Sequence, residues 1–177
     1  MKTYQTSKLY LGGAVYIVST TDKNNNILVS TMSSSYSLGN ILVMGMSKAG
    51  NTAKHIQIGD SIALNYLFDY QQALSNIAGY SSGNENVNKS KELNIEFAFH
   101  HNTPYIRESM IAIIAKVDNI VEDENYLHFF LKVDKRLVNE KILSDEEKIV
   151  HAELKPLIYL GDELKRVYKK TDEINTK

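Results

Sequence analysis

Residues 30–37 read STMSSSYS, a hydroxyl-rich run that begins inside a β-branched, strand-like segment, ILVSTM at 27–32. One strand further on, residues 47–52 read SKAGNT. Two polar clusters capping neighbouring strands point to a bound anion. Asn51 and Thr52 open a short amphipathic run, AKHI at 53–56. The second cluster would therefore offer backbone N–H groups, hydroxyls and the Lys48 ammonium to a phosphate. Singly, each cluster reads as an ordinary turn, because Ser, Asn and Gly make most turns. Their spacing, one strand apart, is what raises them to a candidate site.

Working outward, AVYIVSTT at 14–21 and ILVSTM at 27–32 flank DKNNN at 22–26. This predicts a β-hairpin with the Asn run at its turn, since Asn tolerates left-handed backbone. ILVMGMS at 41–47 reads as a third strand and SIALNYL at 61–67 as a fourth, introduced by Gly59 and Asp60. YQQALSNI at 70–77 places Ala73, Leu74 and Ile77 on one helical face, with Gly79 as its expected stop. A polar, turn-rich stretch follows at 81–90. MIAIIAKVDNIV at 110–121 and YLHFFLKVDKRLV at 126–138 predict a long second hairpin across the EDEN turn. Ser144 and Glu147 are spaced as a capping box, which predicts a helix over 145–153 that Pro156 forbids from continuing. One or two strands at 157–160 and 164–167 close the chain.

Strands in two hairpin groups around a helical insertion favour a mainly β fold with minor α, a closed or nearly closed barrel. The expected organisation is one domain over 1–170 and a polar tail at 171–177. With 43% hydrophobic residues the chain is globular, and no apolar run approaches the ~20 residues of a bilayer span. MKTYQTSKLYLGG lacks the apolar core of a secretory signal, and the chain has no cysteine, so the cytoplasm is the expected compartment. The absence of cysteine excludes disulfides, thiolate metal sites, iron–sulfur clusters and a cysteine nucleophile. Twenty basic against 21 acidic residues, scattered along the chain, argue against nucleic acid.

The sequence has no P-loop, HExxH or G-x-S-x-G, and LGGA at 11–14 is too short for a dinucleotide fingerprint. His100 and His101, as strand neighbours, should point to opposite faces, which argues against a metal pair. His128 reads as a partly buried, hydrogen-bonded histidine, and no catalytic residue is singled out. The eleven tyrosines are expected mostly in the core and at interfaces.

In this order, KLYLGGAVYIVSTTD at 8–22, ILVSTMSSSYS at 27–37, SKAGNTAKHI at 47–56, SGNENVNKSKEL at 82–93 and KPLIYLGDEL at 155–164 resemble the flavin reductase-like family. These are FMN-binding split β-barrel proteins of the flavoredoxin and NAD(P)H:flavin oxidoreductase type. The resemblance implies an FMN held along its isoalloxazine edge by Thr31, Met32, Ser33 and Ser34. It implies a phosphate near Ser47, Lys48, Asn51 and Thr52, a contact from Asn65, and a loop contact from Ser82, Gly83 and Lys89. It also implies a homodimer, a small-molecule or protein redox partner, and NADH or NADPH as a possible donor. Where reductase members carry His and Gly in the long hairpin, this chain has Tyr126 and Leu131. That departure keeps open a non-catalytic flavin-binding electron carrier or redox sensor beside the oxidoreductase.

Overall fold

The 27–37 stretch supplies both edges of the main sheet. The computed structural model describes residues 1–6, 8–80, 92–162 and 165–171, the side chain of Tyr80 excepted. Its strands are β1 (Leu9–Ala14), β2 (Tyr16–Thr21), β3 (Ile27–Met32), β4 (Ser35–Leu38), β5 (Ile41–Ser47), β6 (Ser61–Tyr66), β7 (Phe97–His100), β8 (Thr103–Ile106), β9 (Ile111–Glu122), β10 (Tyr126–Val138), β11 (Ile158–Asp162) and β12 (Arg166–Lys169). Two helices, α1 (Asn51–His55) and α2 (Gln72–Tyr80), complete the frame. The main sheet runs in the order β3-β2-β6-β9-β10-β5-β4. Its outermost strands, β3 and β4, are joined only by Ser33 and Ser34, so the sheet curls into a split barrel rather than a closed one.

Alternation along β2 explains the two-sided burial. Tyr16 and Val18 point inward to a cluster with Met44, Leu64, Phe129 and Leu131, while Val15 and Ile17 point outward to a second cluster with Ala78, Ile106 and Leu157. A strand covered on both faces reads as a continuous apolar run, as residues 14–18 do. The first hairpin forms as predicted. Asn25 is left-handed at φ 61°, and the Asp22 carboxylate accepts from the Asn24 and Asn26 N–H groups at 2.8 Å each. The long hairpin also forms, β9 pairing with β10 from Glu122 opposite Leu127 to Ile111 opposite Val138.

Other expectations change. The first seventy residues hold six strands rather than four: β1 contains two glycines and β4 is short and largely exposed, and each is made a strand by a partner, β11 and β5 respectively. The helix at α2 runs on through Gly79 to Tyr80. No α-helix forms over 145–153. The Ser144 hydroxyl accepts from Lys148 N–H at 3.3 Å, Glu147 is left-handed at φ 58°, and Leu143 bridges Ile149. Residues 145–148 carry no apolar face to bury, so burial of Ile142 with Phe68 and Met110 decides the path instead. His100 and His101 are not on opposite faces, because His101 begins the β7–β8 turn at φ 52° and its ring centroid lies 4.5 Å from that of His100.

Asn65 lies at the seam between β6, β2 and β8 and is fully buried. Its Nδ2 donates to the Ile17 carbonyl at 2.8 Å and the Ser19 hydroxyl at 2.9 Å, and its Oδ1 accepts from Ile106 N–H at 2.7 Å. Asn65→Ala would leave the buried Ile17 carbonyl of β2 and Ile106 N–H of β8 without these partners. It is expected to lower unfolding stability by about 2–4 kcal/mol, read as an earlier midpoint in urea with an unchanged slope.

Candidate functional site

The free edge of β3 is where the two polar clusters of the sequence meet. The Val29 carbonyl turns away from β2 and accepts from Thr52 Oγ1 of α1 at 3.2 Å. Peptide groups two residues apart on a strand face the same way, so those of Thr31 also turn outward from the sheet. The Thr31 hydroxyl is engaged elsewhere, donating to the Ser75 carbonyl of α2 at 2.7 Å.

Beside this edge lies a cavity of about 610 Å³, within the size range of small-molecule and cofactor sites. Thr31, Met32, Ser33 and Ser34 line it consecutively. Two glycines give these residues their position by close approach. A Cβ on Gly13 would stand 2.7 Å from the Ser33 carbonyl oxygen, and one on Gly79 would stand 3.2 Å from Thr31 Cβ. Below them, the buried Tyr16 hydroxyl donates to the Ser34 carbonyl at 3.1 Å. Burial pushes the Tyr16 phenol far above its usual range, so it stays a neutral donor at ordinary pH. Tyr66 packs against Tyr16 with ring centroids 5.2 Å apart, and burial raises its phenol as well.

The second cluster is attached to the same edge but lies outside the cavity lining. Thr52 is buried against β3, and Asn51 opens α1, which has five residues and no side-chain cap. Ser47 pairs with Tyr126 of β10, and its hydroxyl accepts from Ala49 N–H at 3.3 Å. Lys48 is held by the β9–β10 turn: its Nζ lies 2.5 Å from Glu122 Oε1, and its N–H donates to the Asn125 carbonyl at 3.1 Å. An anion at Lys48 would therefore share the ammonium with Glu122. Asn65, buried in its seam, does not line the cavity, and Ser82, Gly83 and Lys89 fall outside the described residues. Leu131 is fully buried inside the barrel, so of the two departures in the long hairpin only Tyr126, 39% exposed, reaches the surface near Ser47.

The β9–β10 turn is itself ordered by charge. Asp123 Oδ2 lies 3.0 Å from His128 Nε2, while Oδ1 accepts from the Asn125 and Tyr126 N–H groups at 2.9 and 2.8 Å. The His128 bond first, then these two N–H groups, hold the Asp123 carboxyl down at about 2. His128 is thus partly buried and hydrogen-bonded, as expected.

The opposite wall of the cavity has no counterpart in the sequence reading. Lys8 and Tyr10 come from the β1 end, Tyr159 from β11, and Arg166 and Tyr168 from one face of β12. The i, i+2 spacing of Arg166 and Tyr168 was the available signal. It lacked meaning until β1, β11 and β12 were known to form one sheet.

The chain belongs to the flavin reductase-like family: the family model described as "Flavin reductase like domain" matches residues 9–168. Flavoredoxin of Desulfovibrio vulgaris (Miyazaki F) is similar in structure with a TM-score of 0.84 at 20% identity, covering 100% of this chain and 97% of that one. Flavoredoxin from Methanosarcina acetivorans has a TM-score of 0.85 at 16% identity, covering 100% and 95%. A Shewanella frigidimarina protein with a split barrel domain has a TM-score of 0.79 at 14% identity, covering 94% and 86%. At these identities the likeness shows the split-barrel fold. No curated protein matches the sequence. Among the described residues, no helix is long and apolar enough to cross a membrane, and no group of three or more His, Cys, Asp or Glu is placed to hold a metal.

Two outcomes follow from this geometry. Gly13→Ala must push the Ser33 backbone away and is expected to cost about 1–3 kcal/mol in thermal or urea unfolding. His128→Ala should let the Asp123 carboxyl rise toward the ordinary value near ~3.9, as read by carboxyl NMR titration. Because the native value is depressed, the wild-type stabilisation is present above the unfolded value. It is lost as pH falls from the unfolded value through about 2; in the variant the smaller depression leaves less to lose, and the loss is complete at higher pH.

Proposed function

We propose that this protein is an FMN-dependent oxidoreductase of the flavin reductase-like type, working as a homodimer in the cytoplasm. It would take electrons from NADH, NADPH or a protein donor and pass them to an acceptor. The observation that carries the reading is the open β3 edge beside the cavity, with outward peptide groups at Thr31 followed by Met32, Ser33 and Ser34. A flavin ring presents alternating donors and acceptors along its pyrimidine edge, and an unpaired strand edge is complementary to that pattern. FMN, when bound, supplies the hydride and electron chemistry, which is why the fold needs few acid–base side chains.

In this reading the protein's own residues bind and orient. Thr31 to Ser34 hold the ring edge, Gly13 and Gly79 let neighbouring backbone close on them, and Tyr16 fixes the Ser34 carbonyl. Ser47, Lys48, Asn51 and Thr52, tied to the same edge through the Thr52–Val29 bond, serve the phosphate, with Ser82, Gly83 and Lys89 completing the site. Asn65 keeps the strands in register beneath it. Tyr126, exposed opposite Ser47, favours a second reading in which the bound flavin carries electrons or senses redox state without turning over a nicotinamide.

Lys48→Ala with Thr52→Ala removes a positive charge from the phosphate end and the Thr52–Val29 bond that ties α1 to the β3 edge. FMN affinity in a titration is expected to fall tenfold or more, on the order of one charge-assisted hydrogen bond. Unchanged affinity would refute the placement. Rapid anaerobic bleaching of the flavin by NADH or NADPH supports the oxidoreductase, and a flavin that neither nicotinamide reduces supports the carrier.

A further inference from the structure

The wall facing Thr31–Ser34 is both basic and aromatic. Among the described residues, Lys8, Lys165 and Arg166 line it together with the Asp162 carboxylate. That carboxylate already accepts from Lys165 N–H at 3.1 Å and from the Tyr4 hydroxyl at 2.8 Å. Arg166 Nη1 comes within 3.8 Å of where a Cβ on Gly79 would stand, so the guanidinium reaches from β12 to α2 across the cavity mouth. Next to the cations stands a ladder of phenol rings. Tyr10 meets Tyr159 edge to face at 5.0 Å between centroids, and Tyr159 meets Tyr168 at 5.7 Å. The register makes the arrangement specific: Gly161 pairs with Arg166 and Tyr159 with Tyr168, so cation and ring are neighbours on one strand face.

We propose that this wall is a binding site for a planar aromatic anion, an aryl carboxylate, with its ring against the tyrosines and its carboxylate toward Lys8, Lys165 and Arg166. Arg166 and Tyr168, two residues apart, are separated by roughly 6–7 Å along the strand. An anionic group bonded directly to a ring would let the ring meet Tyr168 while the anion meets Arg166. Edge-to-face packing leaves tyrosine faces suited to a further ring, and Arg matches a carboxylate in bidentate geometry. The site goes beyond the flavin reading: it shares the cavity but rests on the opposite wall.

Isothermal titration of the full chain as purified, with its flavin content measured in parallel, tests this with four probes: benzoate, benzamide, cyclohexanecarboxylate and inorganic phosphate. Benzoate should bind, with the uncharged amide, the non-planar acid and phosphate each weaker by about tenfold or more. Lys8→Gln with Lys165→Gln should weaken benzoate by about tenfold and leave flavin retention unchanged. In the unaltered protein, benzoate affinity should fall severalfold as salt rises, because these cations are exposed to screening. That measurement holds even where the double variant does not fold. Equal binding of benzoate and benzamide, equal binding of benzoate and the non-planar acid, salt-independent affinity, or no benzoate binding would overturn the proposal. A double variant that loses flavin in proportion to benzoate would also overturn it, since the cations would then belong to the flavin phosphate. A protein that carries no flavin yet binds benzoate would sink the functional reading and leave this site standing.

Discussion

The Ser34 carbonyl accepts two hydrogen bonds, from Gly45 N–H at 3.1 Å and from the Tyr16 hydroxyl at 3.1 Å, and on that oxygen the two edges of the barrel are held together. A curled sheet that does not close leaves unpaired peptide groups on both outer strands, which must be covered, bound or left to water. Here β3 and β4 are consecutive in the chain, so a two-residue link spans the split. The Ser34 carbonyl fixes that link against the next strand on one side and the buried core on the other. The cavity is the space left where the edges fail to meet. Fold and site are therefore one feature, since the break in hydrogen bonding that splits the barrel also exposes the groups a ligand can use.

Close approach of backbone is the second requirement. Gly13 brings β1 against Ser33, and Gly79 brings α2 against Thr31. On this side the cavity is bounded by backbone brought close at two glycines, while long side chains of β1, β11 and β12 form the facing wall. This leaves the charged residues at the mouth, where solvent screens them, and keeps the interior of Thr31 to Ser34 neutral and hydroxyl-rich. Lys48 belongs to a different electrostatic setting, paired with Glu122 on a turn that carries a further anchored carboxylate at Asp123. A phosphate at Lys48 would meet a cation already paired with Glu122.

Much of this was legible along the chain because the signals are local. The first hairpin declares itself by β-branched runs around an Asn turn, and the long hairpin by alternation at Leu127, Phe129, Leu131 and Val133. Ser33 and Ser34 stood out as hydroxyls where a strand should end. What could not be read depended on partners far away in sequence. β1 and β4 have weak strand character and are strands because β11 and β5 pair with them. Ser144 and Glu147 carry a capping-box spacing, yet no apolar face follows to reward a helix. Asn65, for which the family resemblance implies a flavin contact, has its amide bonded to β2 and β8, a role no local pattern announces.

The amino-acid sequence by itself determined the strand-rich class, the two hairpins and the hydroxyl run at the end of β3, because each rests on residues within a few positions of one another, and its kinship with the flavin reductase-like family, because the order of such local stretches along the chain is itself a signal. Only the tertiary structure decided that this run bridges the split, that Thr52 of α1 grips the β3 edge, and that Tyr10, Tyr159, Arg166 and Tyr168 face it across a cavity. Those facts depend on which strand edges find hydrogen-bond partners once the sheet has curled, and that is a property of the whole chain packed at once.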